Sequence, residues 1–172
     1  MKRVSTPEAV GQVEEGGAPS SLTVEALRGR ALAMLARREH SRLEIQRKLK
    51  DMGGEAQLVE QVLDELAQRK FQSDERFAAS FIRSRAERGY GPLVIARDLK
   101  ERGLPAEVAR QTLEQSGYDW YSHALGVRQR RFGSLRATHP KERARQYRFL
   151  QYRGFSGGQI VAALGGDALS ED

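Results

Sequence analysis

One helix ending is written three times in this chain. Leu49-Lys50-Asp51-Met52-Gly53, Leu99-Lys100-Glu101-Arg102-Gly103 and Leu150-Gln151-Tyr152-Arg153-Gly154 stand 50 and 51 residues apart. A pattern returning at that spacing describes a row of similar small units, each burying its apolar face partly against its neighbours. The glycines have a local reason: a helix that stops abruptly needs a residue tolerant of positive φ, and glycine bears no Cβ penalty there.

Helical periodicity fills out each unit. In the first, Leu27, Ala31, Met34 and Leu35 precede a capping-box pattern at Ser41 and Glu44. Ile45, Leu49 and Met52 then line one face, and Leu58, Val62, Leu63 and Leu66 form a third helix. The second unit opens at Ser73-Asp74-Glu75, a cap followed by acids suited to the positive end of a helix dipole. Pro92 starts its middle helix and Pro105 its last, at positions where the missing N–H costs nothing. The third unit runs from Asp119 to about Phe132, from Pro140 to Arg153 and from Ser156 to Leu164, with Ser156 and Gln159 as another capping box. Leu49, Leu99 and Leu150 correspond, as do Leu63, Leu113 and Leu164. No segment alternates as a strand does. The expected fold is therefore all-α: three tandem three-helix repeats, helix-turn-helix-like, in an elongated, curved array. The repeats span 23–72, 73–118 and 119–166, between a disordered tail over 1–22 and a short tail over 167–172. A hydrophobic fraction of 39% against 30% charged residues suits such an array, which has much surface per residue.

Few chemistries survive the inventory. There is no cysteine, and His40, His123 and His139 never fall at ligand spacing, so no metal or other cofactor is expected. No run is long and apolar enough to span a membrane, and the N-terminus lacks a signal peptide's apolar core, so a cytoplasmic protein is expected. Gly154-Phe155-Ser156-Gly157-Gly158 matches G-x-S-x-G, but that elbow needs a strand before it, and Ser156 already serves as a helix cap. No phosphate-binding P-loop occurs, and the acidic pairs Asp64-Glu65 and Asp74-Glu75 lie on helix surfaces or starts. No catalytic constellation emerges.

Charge is the stronger signal. The net charge is +6, and residues 128–153 hold nine basic side chains against Glu142 alone. Arg47, Arg97 and Arg148 occupy equivalent sites on the three middle helices, and Lys50 matches Lys100. They flank the inward leucines and so face outward. A ladder of this kind suits a polyanion or an acidic protein groove. In the first two units, helix-surface pairs such as Glu44 with Lys48 and Asp98 with Arg102 account for it equally well. For Arg143, Arg145, Arg148 and Arg153 no acidic partner is evident, and partner binding is favoured. Among them lie Tyr147, read as core, and Phe149 and Tyr152, read as exposed aromatics able to stack on bases or anchor a protein. Arg83, Arg85 and Arg88 lead into Gly89-Tyr90-Gly91-Pro92, where Tyr90 reads as a packing plug or a contact.

Phe71-Gln72-Ser73-Asp74-Glu75-Arg76-Phe77-Ala78, with Ser80-Phe81-Ile82-Arg83-Ser84-Arg85 and Arg88-Gly89-Tyr90-Gly91-Pro92, resembles the signature of the RecX regulatory proteins. Arg148-Phe149-Leu150 followed by Arg153-Gly154-Phe155-Ser156 resembles that family's third-unit signature, and the likeness covers about 27 to 165. The resemblance implies tandem three-helix repeats and a non-catalytic function: binding the RecA recombinase filament and restraining its growth, ATP hydrolysis and strand exchange, with weak DNA binding indifferent to sequence. The candidate contacts are Arg47, Arg83, Arg85, Arg88, Tyr90, Arg97, Lys100, Arg143, Arg145, Arg148, Phe149, Tyr152 and Arg153. The alternative is a sequence-specific helix-turn-helix DNA-binding protein, although the chain holds no asparagine with which to read adenine.

Overall fold

The computed structural model describes residues 22–166; most of the expected N-terminal tail and all of 167–172 lie outside them. Among the described residues there are nine helices and no strand: α1 (Val24–Leu35), α2 (Arg42–Asp51), α3 (Ala56–Gln68), α4 (Asp74–Glu87), α5 (Pro92–Glu101), α6 (Ala106–Gln115), α7 (Trp120–Phe132), α8 (Pro140–Arg153) and α9 (Gly157–Ala163). No described helix is long and apolar enough to cross a membrane.

The caps fall where short polar side chains precede apolar runs. Ser73 Oγ accepts from the Arg76 amide at 3.2 Å, and Asp119 Oδ1 accepts from the Tyr121 and Ser122 amides at 3.0 and 3.2 Å. Ser156 and Gln159 close a full capping box. The box expected at Ser41 forms only by half. Ser41 Oγ accepts from the Glu44 amide, but the Glu44 carboxylate turns to Arg38 at 3.0 Å and Arg102 at 3.6 Å.

Three apolar clusters form, one per helix triplet. Leu27, Ile45, Leu49 and Leu63 anchor the first; Phe77, Ile95 and Leu99 the second; Leu150, Phe155 and Ile160 the third. Leu49, Leu99 and Leu150 are each fully buried, so the recurring leucine is the inward residue of each middle helix. Leu22 packs on the first cluster.

The clusters are joined end to end through the middle helices. The last carbonyls of α8 accept the first amides of α5: Gly91 N–H donates to Arg153 O at 2.8 Å, and Leu93 N–H to Gly154 O at 3.0 Å. Terminal groups that a helix cannot satisfy by itself are thereby paired between repeats. The joint between α5 and α2 places side chains in that role. Ser41 Oγ–H donates to Arg102 O at 2.8 Å, and the Arg42 amide donates to Asp74 Oδ1 at 2.9 Å. Pro92 stands where Arg42 does and has no amide to satisfy. Thus α8, α5 and α2 run head to tail.

Gly53, Gly103 and Gly154 close the three middle helices at φ of +91°, +86° and +91°. Their surroundings differ. A Cβ on Gly53 would meet nothing within 4 Å, one on Gly103 would lie 2.7 Å from Leu43, and one on Gly154 would lie 2.5 Å from Val94. Gly53→Ala is expected to cost only the left-handed backbone penalty, about 1–2 kcal/mol. Gly103→Ala and Gly154→Ala should each cost a further 1–3 kcal/mol or so from overpacking at a joint. Urea denaturation checks this; three equal losses would contradict the joints as described.

Candidate functional site

The candidate arginines divide by what they touch. Arg85 ion-pairs with Asp98 at 2.9 Å, and its guanidinium lies 5.1 Å from the ring centres of Phe81 and Tyr90. Asp98 is only 6% exposed, so Arg85 ties α4 to α5. Arg153 lies 5.1 Å from the Tyr90 ring and 5.2 Å from Phe149, and donates to the Arg88 carbonyl at 3.0 Å. Tyr90, half-buried, therefore plugs the joint beneath two guanidiniums. Arg143 is half-buried and donates to the Leu164 carbonyl at 3.4 Å, turning toward the end of α9.

A second group faces solvent. Arg47, Arg83, Arg88, Lys100 and Arg148 are exposed, and their side chains make no ion pair or hydrogen bond with the described residues. Arg97 is also exposed but lies 3.2 Å from Asp98 and 3.9 Å from Glu101. Arg145, which lacked an evident acid in the sequence, has Glu142 at 3.5 Å, one helical turn earlier. Tyr152 is 85% exposed, as expected. Phe149 is only half-buried and stands edge-on to Phe132 at 5.2 Å, so it is partly spent on packing.

The local helix pairs expected on the first two units are replaced by longer-range ones. Glu44 takes Arg38 and Arg102 rather than Lys48. Asp98 takes Arg85 and Arg97, while Arg102 reaches the Asp98 backbone carbonyl at 2.9 Å and lies 4.6 Å from the Phe81 ring. Among the described residues Arg47, Lys48, Lys50 and Lys100 are exposed without a bonded acid.

Sequence reasoning overlooked four arginines. Arg102 is the first joint's counterpart of Arg153, and the signal was present: two of the three helix endings read Arg-Gly. The remaining ending, Met52-Gly53, belongs to the unit with no described repeat before it. Arg130 and Arg131 are exposed in the last turn of α7. Arg128 is 2% exposed and holds Gln146 Oε1 at 3.0 Å and the carbonyls of Gly133 and Leu135. Nothing in its sequence neighbourhood distinguishes it from the exposed pair.

Among the described residues the carboxylates whose pKa is displaced all move down: Glu60 through hydrogen bonds from Gln46 and Arg42, Glu65 through Arg28, Glu75 through the Ser73 hydroxyl, Glu107 through Arg110 and Asp119 through Ser122. His123 also moves down, first through burial and then through the charge of Arg130. Among the described residues no group of three histidines or carboxylates is placed to hold a metal ion.

Arg85→Met should destabilise the chain by about 2 kcal/mol, because it leaves a buried carboxylate with Arg97 as its one remaining cation. Arg148→Gln should change stability by less than about 0.5 kcal/mol. Denaturant midpoints decide, and the reverse order would overturn the division into joint and surface arginines.

Comparison with known proteins matches this architecture. Models of the first, second and third three-helix domains of RecX match residues 28–66, 73–113 and 118–164. The curated regulatory protein RecX of Halorhodospira halophila is 44% identical over 93% of this chain and 96% of its own length. That of Pseudomonas entomophila is 44% identical over 86% of this chain and 95% of its own. The crystal structure of RecX from Lactobacillus salivarius superposes with a TM-score of 0.71 at 18% identity, covering 82% of this chain and 94% of that one, a likeness of fold. With three domains in register and relatives matched over nearly their full length, this chain belongs to the RecX family of regulatory proteins.

Proposed function

We propose that this chain binds the RecA recombinase filament on DNA and restrains its growth, ATP hydrolysis and strand exchange. The observation that carries the reading is the line of middle helices. Joined head to tail, α8, α5 and α2 present Arg145 and Arg148, then Arg97 and Lys100, then Arg47 and Lys50, to solvent. Tyr152 adds an exposed aromatic near the joint of α8 with α5. Family membership supplies the regulatory role, and the recombinase is the partner the RecX signature implies.

The helix-turn-helix alternative fares worse on these residues. If the third helix of each repeat entered a major groove, it would meet phosphates on both sides. Instead α3 carries Glu60, Asp64 and Glu65 and no cation, α6 pairs its one arginine with Glu107 and Glu114, and α9 has no charge.

The single-stranded-DNA-dependent ATPase of the cognate recombinase, titrated with this protein, should fall at or below one chain per recombinase subunit. Full activity at several-fold excess would sink the proposal.

DNA binding by the chain alone should be indifferent to sequence and steep in salt. If about five cations meet duplex phosphates, log affinity should fall with log salt at a slope near −4.5. Lys100→Gln, Arg145→Gln and Arg148→Gln together should flatten that slope by about 2.7 and leave helical content unchanged. An unchanged slope would remove the line of middle helices from the DNA contact.

A further inference from the structure

A second basic feature lies off the line of middle helices, at the joint between the second and third repeats. A groove of about 200 Å³ opens between the end of α4, the last turn of α7 and the end of α8. Arg88, Arg130, Arg131 and Arg153 line it, over Val127 and the Phe149 ring, and its one acid is Glu87. Arg88, Arg130 and Arg131 are exposed, and none makes an ion pair or a side-chain hydrogen bond with the described residues. Arg153 is held by neutral partners, the Arg88 carbonyl and two aromatic rings. Four guanidiniums facing a single carboxylate leave a local excess of positive charge that the fold itself does not neutralise.

We propose that this groove is a binding site for one phosphate group, as carried by a nucleic-acid strand. Its size supports that choice. At about 200 Å³ the groove can take a phosphate and its ester linkages. Guanidinium forks match phosphate oxygens bidentately, and the two non-bridging oxygens of a phosphodiester can each accept from more than one of the three open forks. The groove also adjoins a further cation of α8: Arg145 and the groove's own Arg131 both lie 5.7 Å from the Phe132 ring. A polymer with closely spaced charges can occupy the groove and continue along that surface. The inference rests on the DNA-binding half of the proposed function and adds a place for it that the middle helices do not supply.

The test is a titration of the full chain, followed by backbone amide NMR at Gly89, whose backbone lines the groove. An oligothymidine with unphosphorylated ends should shift the Gly89 signal to a plateau at about 0.1 M salt. Arg130→Gln with Arg131→Gln should weaken that binding about fivefold or more, on the scale of phosphate contacts at this salt. Arg30→Gln with Arg37→Gln, exposed residues of the first repeat outside the line of middle helices, should leave the Gly89 response in place. Inorganic phosphate is the second arm: the same plateau with the free ion keeps the site and makes free phosphate its ligand, while a response to the oligonucleotide alone assigns it to the strand. Overturning results are a silent Gly89 in both arms, an unchanged affinity in the double variant, or an equal response to polyglutamate. None of these readings involves the recombinase, so a filament unaffected by the chain would defeat the proposed function and leave this site standing.

Discussion

Two backbone hydrogen bonds organise the molecule: Gly91 N–H to Arg153 O and Leu93 N–H to Gly154 O. Helix termini leave amides and carbonyls without partners, and most helices satisfy them with side chains or water. Here the open end of one middle helix meets the open start of another, so each satisfies the other. The contact requires close approach of main chain to main chain. A Cβ on Gly91 would sit 2.5 Å from the Gly154 carbonyl oxygen, and one on Gly154 would strike Val94. The pairing also sets the negative end of the α8 dipole against the positive end of α5. At the first joint the same geometry is met with the Ser41 hydroxyl and the Asp74 carboxylate, a side-chain version of one contact.

The joints explain which arginines are spent inside the fold. Each joint draws in the arginine that precedes the closing glycine, Arg102 or Arg153, and sets it against aromatic rings of the second repeat. Carboxylates follow: Glu44 turns to Arg102, Glu39 to Arg76 and Asp98 to Arg85. Arg47, Lys100 and Arg148 take no part in these pairs and stay exposed.

Much of the fold was legible from the sequence because its signals are local. Glycines at helix ends, serine and aspartate caps, and leucines at helical spacing each act within one turn, and the nine helices lie where those signals stand. The half-formed box at Ser41 was misread because Glu44 had competing partners, Arg38 nearby at 3.0 Å and Arg102 of the next repeat at 3.6 Å. The candidate surface was legible in composition but not residue by residue. Arg83, Arg85 and Arg88 look alike in sequence, yet only Arg85 reaches a buried carboxylate. Arg128, Arg130 and Arg131 are near neighbours on α7, and one faces the core while two face solvent. Both distinctions depend on contacts between helices far apart in sequence, which periodicity does not encode.

The central claim is that the joined middle helices present the surface by which this chain engages a DNA-bearing filament. Electron cryomicroscopy of the cognate recombinase filament on single-stranded DNA, saturated with this protein, tests it most directly. The claim predicts α2, α5 and α8 turned toward the filament, with Lys100 and Arg148 at the contact and the acidic faces of α3 and α6 toward solvent. A complex in which α3 and α6 face the filament and the middle helices face solvent would contradict it.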